Sequence, residues 1–137
     1  MITKTKHLLK IGELAAQSRV SAQAIRYYEE LGLLQSSDRT EGNYRLFAPQ
    51  RVQRLAFIKR LQALGLSLQA VKECLAVYDS GDLPCAVIQQ QLHQRVREIE
   101  QKIHELTQLR NNLQTVLDHW QAEPEPSPDT ICPNLEI

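Results

Sequence analysis

Residues 21–47 read SAQAIRYYEELGLLQSSDRTEGNYRLF, and this stretch decides the fold. Ser21 is a good N-cap, because its hydroxyl can accept a hydrogen bond from the backbone two or three residues on. The segment SAQAIRYYEELG then reads as a helix that Gly32 can end in a left-handed conformation. Ahead of it, Ile11, Leu14 and Ala15 stand at i, i+3 and i+4, the spacing of a short amphipathic helix over residues 10–16. Ser18-Arg19-Val20 is a tight connection between the two. A short helix, a tight turn and a capped second helix make a helix-turn-helix, whose second helix enters the DNA major groove by its N-terminal residues. After Gly32, Leu33-Leu34 and Tyr44-Arg45-Leu46-Phe47 are β-prone segments on either side of Asp38–Asn43, which is turn chemistry. The expected product is a β-hairpin wing presenting Arg39, Tyr44 and Arg45.

Working outward, Pro49 suits the start of a third helix. Val52, Leu55, Ile58 and Leu61 point to one side of it, with Arg51, Arg54, Lys59 and Arg60 around its outside and Gly65 at its end. A fourth helix runs from about Leu68 to Tyr78, with Val71, Cys74, Leu75 and Tyr78 on one face. Cys74 and Tyr28 both read as core. Asp82 is the expected N-cap of the last helix, with Pro84 in its first turn. From there no Pro or Gly occurs until Pro124.

Leu92, Val96, Ile99, Ile103, Leu106, Leu113, Leu117 and Trp120 follow alternating steps of four and three, interrupted only by Arg110. That is a heptad seam of about four repeats. At 1.5 Å per residue the span from Cys85 to Trp120 is roughly 53 Å, longer than a domain this small can cover. The seam requires a partner helix, and a homodimer is the simplest source. The tail QAEPEPSPDTICPNLEI cannot continue the helix, and returns to apolar character with a short turn around Ile131–Glu136. The expected class is mainly α: a winged helix-turn-helix DNA-binding domain (8–80), a dimerising coiled-coil helix (82–121) and a C-terminal effector loop (122–137).

The bulk properties agree. The chain has 137 residues, 42% hydrophobic and 23% charged, a folded rather than disordered composition. No apolar run approaches the roughly 18–20 residues of a membrane span. The opening MITKTKHLLKIGELAAQ lacks a secretory h-region, and three cysteines do not suggest a disulfide scaffold, so the expected location is cytoplasmic. The formal net charge is zero, yet residues 1–78 carry 12 Lys+Arg against 6 Asp+Glu, and residues 79–137 carry 4 against 10. A basic half of this kind suits a polyanion. No paired carboxylates, nucleophile–base set or Gly-rich phosphate loop points to an enzyme.

With IGELA at 11–15, AIRYYEELGLL at 24–34, RTEGNYRLF at 39–47 and a cysteine at the start of the long helix, residues 9–122 resemble the MerR family of bacterial transcription regulators. The resemblance implies a homodimer joined by an antiparallel coiled coil on double-stranded operator DNA. It also implies activation by operator distortion, which brings two over-spaced promoter elements into line for RNA polymerase. Residue by residue it implies DNA contacts from Ser21, Gln23, Arg26 and Tyr27 on the recognition helix. Arg39, Tyr44 and Arg45 would contribute from the wing, and Lys59 from the third helix. On chemical grounds only Arg26 or Gln23 suits base reading, and the rest suit phosphate.

The same resemblance points to the signal. In its metal-sensing branch a cysteine at the start of the long helix goes with divalent ions, and Cys85 matches that position. Thiolates are favoured at helix N-termini and are good soft-metal ligands. Cys132 resembles the second cysteine of the family's metal loop. The first loop cysteine is missing, since Trp120 stands there, and His119 beside it is the candidate replacement, with Asp118 a possible fourth ligand. A set of Cys85, His119 and Cys132 drawn from two protomers suits Zn²⁺ first, with Cd²⁺, Pb²⁺ or Hg²⁺ as alternatives. His7, His93 and His104 read as surface residues. Two other readings of the chain are a thiol-redox regulator of the same fold and a coiled-coil interaction protein without specific DNA binding.

Overall fold

The computed structural model describes residues 7–136, so the first six residues of the opening segment and Ile137 of the C-terminal loop lie outside it. In chain order the elements are β1 (Leu9–Lys10), α1 (Ile11–Ser18), α2 (Ala22–Glu30), β2 (Asp38–Arg39), β3 (Arg45–Phe47), α3 (Arg51–Ala63), α4 (Leu68–Asp79) and α5 (Cys85–Asp118). This is a winged helix-turn-helix followed by a long helix. One compact unit ends at His93 and a second begins at Gln94. No described helix is long and apolar enough to cross a membrane.

Local chemistry sets the helix ends. The Ser21 hydroxyl accepts the Ala24 N–H at 3.0 Å and starts α2. The Ser67 hydroxyl does the same for α4 through Ala70, at 3.1 Å. At the other end of α2 the Gly32 N–H bonds the Glu29 carbonyl and the Leu33 N–H bonds the Tyr28 carbonyl, a Schellman closure. It holds Gly32 at φ +80°, where a side chain would be strained. Helices α3 and α4 close in the same pattern through Gly65-Leu66 and Gly81-Asp82.

The core of the first unit is drawn from every element around it. Leu14 of α1, Ile25 of α2, Phe47 of β3, Leu55 and Ile58 of α3, and Val71 and Cys74 of α4 are completely buried. Burial pushes the Cys74 thiol up, with the Glu73 carboxylate adding to the effect, so Cys74 is an apolar packing group. Val87, Ile88 and Leu92 at the start of α5 pack against the same core.

Four expectations change. Leu33 and Leu34 are not a strand: both are buried, which the two-residue alternation of a half-covered strand forbids, and they plug the core directly after the α2 closure. The wing therefore forms further along. Strand β2 arises inside the segment read as turn and pairs antiparallel with β3, Asp38 opposite Leu46 and Arg39 opposite Arg45. Strand β1, unanticipated at two residues, lies on the other side of β3, Leu9 opposite Phe47. Asp82 does not cap α5. Its N–H closes α4 on the Val77 carbonyl, and α5 starts from Pro84, whose carbonyl accepts the Ile88 N–H at 2.9 Å. Tyr78 is 58% exposed, because the last turn of α4 runs past the core, and it lines an open apolar hollow with Phe57 and Leu83.

The fourth change concerns Arg54, which is not on a solvated face. Its Nε donates to the Leu33 carbonyl at 2.6 Å, and its two terminal nitrogens grip the Asp79 carboxylate at 2.8 and 2.9 Å. The Arg51 Nε donates to the Gln35 carbonyl at 3.0 Å. Two arginines of α3 thus pin the segment that leads from α2 into the wing, and one of them ties it to the end of α4.

The hydrogen bonds from Arg54 hold the Asp79 carboxyl below the usual carboxylate range against a smaller opposing effect of burial. A depressed carboxylate stabilises the fold above its unfolded pKa of about 3.9 and loses that contribution as pH falls through its folded value. Asp79 is half-exposed, so Asp79→Asn should lose no more than about 1 kcal/mol at pH 7. In urea unfolding, the gap between the two proteins should close as pH drops below about 4. A gap that does not shrink at all between pH 7 and the acid side of pH 4 would contradict the assignment.

Candidate nucleic-acid interface and metal ligands

Helix α2 sorts its residues cleanly. Ile25 and Tyr28 are buried, and the Tyr28 hydroxyl donates to Gln62 Oε1 at 2.8 Å, which confirms it as a core aromatic. Gln23, Arg26 and Tyr27 are exposed on the opposite face. Ser21 sits at the head of that face, its hydroxyl oxygen engaged as the cap. A glutamine, an arginine and a tyrosine on the outer face of a capped helix can reach a groove, the amide and guanidinium to base edges and the phenol to phosphate.

The wing tip is built by Thr40. Its N–H donates to the Tyr44 carbonyl, its carbonyl accepts from Asn43, and its hydroxyl accepts the Tyr44 N–H at 3.1 Å. Asn43 adopts φ 67°, which its short polar side chain tolerates. The Arg39 guanidinium donates to the Asn43 carbonyl at 3.0 Å and so braces the turn, and Tyr44 projects with 73% of its surface exposed. Arg45 differs from its neighbours. Its Nε forms an ion pair with Glu29 of α2, which fastens the wing to the recognition helix. Lys59 is exposed on α3 and donates to the Arg19 carbonyl at 3.3 Å.

The three candidate metal ligands are distributed differently. Cys85 is the first residue of α5, exposed, in the first unit. His119 and Cys132 belong to the second. His119 follows the last residue of α5, and its Nδ1 donates to the Thr115 carbonyl at 2.9 Å, leaving the lone pair on Nε2. A metal-binding histidine is commonly oriented in this way. The tail is a closed loop. The Asn134 side chain accepts from the Gln121 N–H and donates to the Gln121 carbonyl, both at 2.9 Å. Within it the Glu136 carboxylate accepts the backbone N–H groups of Ile131 and Cys132, and the Leu135 N–H closes a turn onto the Cys132 carbonyl. Cys132 is half-buried at the head of that turn.

Among the described residues of one chain, no three His, Cys, Asp or Glu side chains gather around a common point. The donors themselves suit a soft or borderline divalent ion: two thiols and an oriented imidazole.

Sequence reading did not find the Asn134 clamp or the Arg45–Glu29 pair. An Asn two residues beyond Cys132 in a Pro-rich loop was the available signal for the first. The second joins residues far apart in sequence and left none. Arg19 was passed over as part of a tight turn, although a turn that short between two helices commonly needs a left-handed residue.

Comparison with known proteins agrees with this geometry. The family model described as MerR HTH family regulatory protein matches residues 9–77, and the one described as MerR, DNA binding matches residues 52–116. A mercuric resistance operon regulatory protein of Bacillus cereus is 36% identical over 127 residues, covering 93% of this chain and 94% of that protein. A transcription regulator of Ralstonia metallidurans solved in complex with lead(II) is 30% identical with a TM-score of 0.73, covering 85% of this chain and 91% of that one. A dual-function MerR regulator of Bacillus megaterium solved with mercury(II) is 32% identical with a TM-score of 0.63, covering 93% and 97%.

Proposed function

The chain belongs to the MerR family of helix-turn-helix transcription regulators, and on that premise we propose that it is a homodimeric activator switched by a divalent heavy metal, Zn²⁺ first, through Cys85, His119 and Cys132. The observation that carries the metal reading is the Cys85 thiol, exposed on the first residue of the long helix. Support comes from relatives of similar length, one named for mercuric resistance and two solved with lead(II) and mercury(II).

The DNA-facing work is divided among residues already placed. Arg26 and Gln23 read base edges from the exposed face of α2, and Ser21 and Tyr27 hold phosphate beside them. Arg39 and Tyr44 carry the wing onto the adjoining backbone, and Lys59 holds phosphate from α3. Arg45 serves from behind, fixing the angle between wing and recognition helix through Glu29. A two-fold dimer presents two such surfaces to a two-fold operator.

Cys85 of one protomer with His119 and Cys132 of its partner would hold the divalent ion, which would supply a cross-link between the two. The chain's own part is to hold those donors ready. Thr115 orients the imidazole, and the Asn134 clamp and Glu136 keep Cys132 at the head of a turn. Bending a site of 20–30 base pairs costs on the order of 1–6 kcal/mol, within reach of a few added phosphate contacts. The output is therefore a change of operator shape that RNA polymerase reads, with little change in affinity.

In transcription by purified RNA polymerase from the chain's own promoter, Cys85→Ser should bind DNA as the parent does and lose the metal-dependent rise in transcript. Full induction by metal in that variant removes the site. Arg26→Ala should weaken binding to a selected operator duplex by about 100-fold or more, because the dimer loses a bidentate base contact worth about 1–3 kcal/mol in each half-site, and weaken binding to random duplex far less. Equal losses on both duplexes reduce Arg26 to a phosphate contact.

A further inference from the structure

Two described residues other than glycine have positive φ: Asn43 at 67° and Arg19 at 59°. Asparagine is one of the few residues that visits this region readily. Arginine is not, because its Cβ crowds the following carbonyl. Arg19 ends α1 in the left-handed conformation, two residues before the cap of the recognition helix. Glycine would serve the turn better on backbone grounds alone. A strained residue that persists invites a functional explanation.

The surroundings supply one. The turn is held from both sides: the Val20 N–H donates to the Ser18 hydroxyl at 3.3 Å, and the Lys59 ammonium donates to the Arg19 carbonyl at 3.3 Å. The second bond brings the Lys59 ammonium to the peptide of Arg19, and both residues are exposed. Neither takes part in any ion pair found among the described residues. Exposed cations with no acidic partner are free to take an external anion. The anion that this family meets at the head of its recognition helix is the DNA backbone.

We propose that Arg19 is a phosphate anchor, acting with Lys59 on the DNA backbone at the entry of α2, and that its strained backbone is retained for that contact. The proposal rests on the DNA-binding reading above. It adds one contact per protomer to the set expected from the sequence, at a position where the fold alone would favour another residue.

The test uses the full-length dimer and a duplex selected by the parent chain from a random pool, with affinity measured by fluorescence anisotropy over a range of salt. Each phosphate contact contributes about 0.9 to the slope of log K against log salt, so losing one in each protomer should reduce the slope by about 2. Arg19→Gly should show that loss together with a raised melting temperature. Arg19→Asn, which keeps a residue suited to the left-handed turn without the flexibility of glycine, should show the same loss of slope. Arg19→Lys, which keeps the charge, should retain the parental slope. A parental slope in Arg19→Gly and Arg19→Asn overturns the proposal. A parent that binds no duplex overturns the DNA-binding reading and the proposal with it.

Discussion

A helix of 34 residues cannot cover its own apolar seam, and the behaviour of this molecule follows from that constraint. Val96, Ile99, Ile103, Leu106, Leu113 and Leu117 are each at least 44% exposed along α5. An apolar row of this length, broken only at Arg110, marks an interaction surface rather than a solvated face. The start of the same helix is different, since Val87, Ile88 and Leu92 already pack on the core of the first unit. Helix α5 is thus anchored at one end and in need of a partner along the rest. In the proposed homodimer a second copy would satisfy the row and supply the operator with two reading heads.

The reading head is rigid for identifiable reasons. Three helices end in the same glycine closure, which sets the directions of the chain leaving α2, α3 and α4. The Glu29–Arg45 pair fastens the wing to α2, and Arg51 and Arg54 fasten the segment between them to α3. The fork of Arg54 continues to Asp79, at the end of α4, six residues before Cys85. Polar links therefore run from the end of α4, through Arg54, to the segment that leads from α2 into the wing.

Much of this was legible in the sequence. The 3.6-residue pattern marked α1 to α4, Ser21 marked the head of α2, and the alternating steps of four and three marked α5. The failures have physical causes: the core took Leu33 and Leu34, a helix closure took the Asp82 amide, distant groups took Arg54, and Tyr78 lies past the end of the core. Leu33 and Leu34 look like a strand until the core takes both. Asp82 looks like a cap until its amide is used to close α4. Arg54 looks like a surface cation until Leu33 and Asp79 are brought to it by folding. The exposed face of α2 was easier, because helix periodicity alone sorts Gln23, Arg26 and Tyr27 from Ile25 and Tyr28. The metal ligands were legible as chemical types only, since Cys85 and the pair His119 and Cys132 fall in different units of one chain.

A metal site assembled from two protomers can be told from a site within one chain by mixed dimers. Cys85→Ser and Cys132→Ser chains would be produced separately and together, purified reduced and metal-free, and titrated with Zn²⁺, Cd²⁺, Pb²⁺ and Hg²⁺. A shared site gives two ions per parental dimer, tight binding lost in each variant homodimer, and one ion in the mixed dimer, which retains a single intact site. Tight binding by either variant homodimer, or none by the mixed dimer when the parent binds two, would contradict a site shared across the dimer.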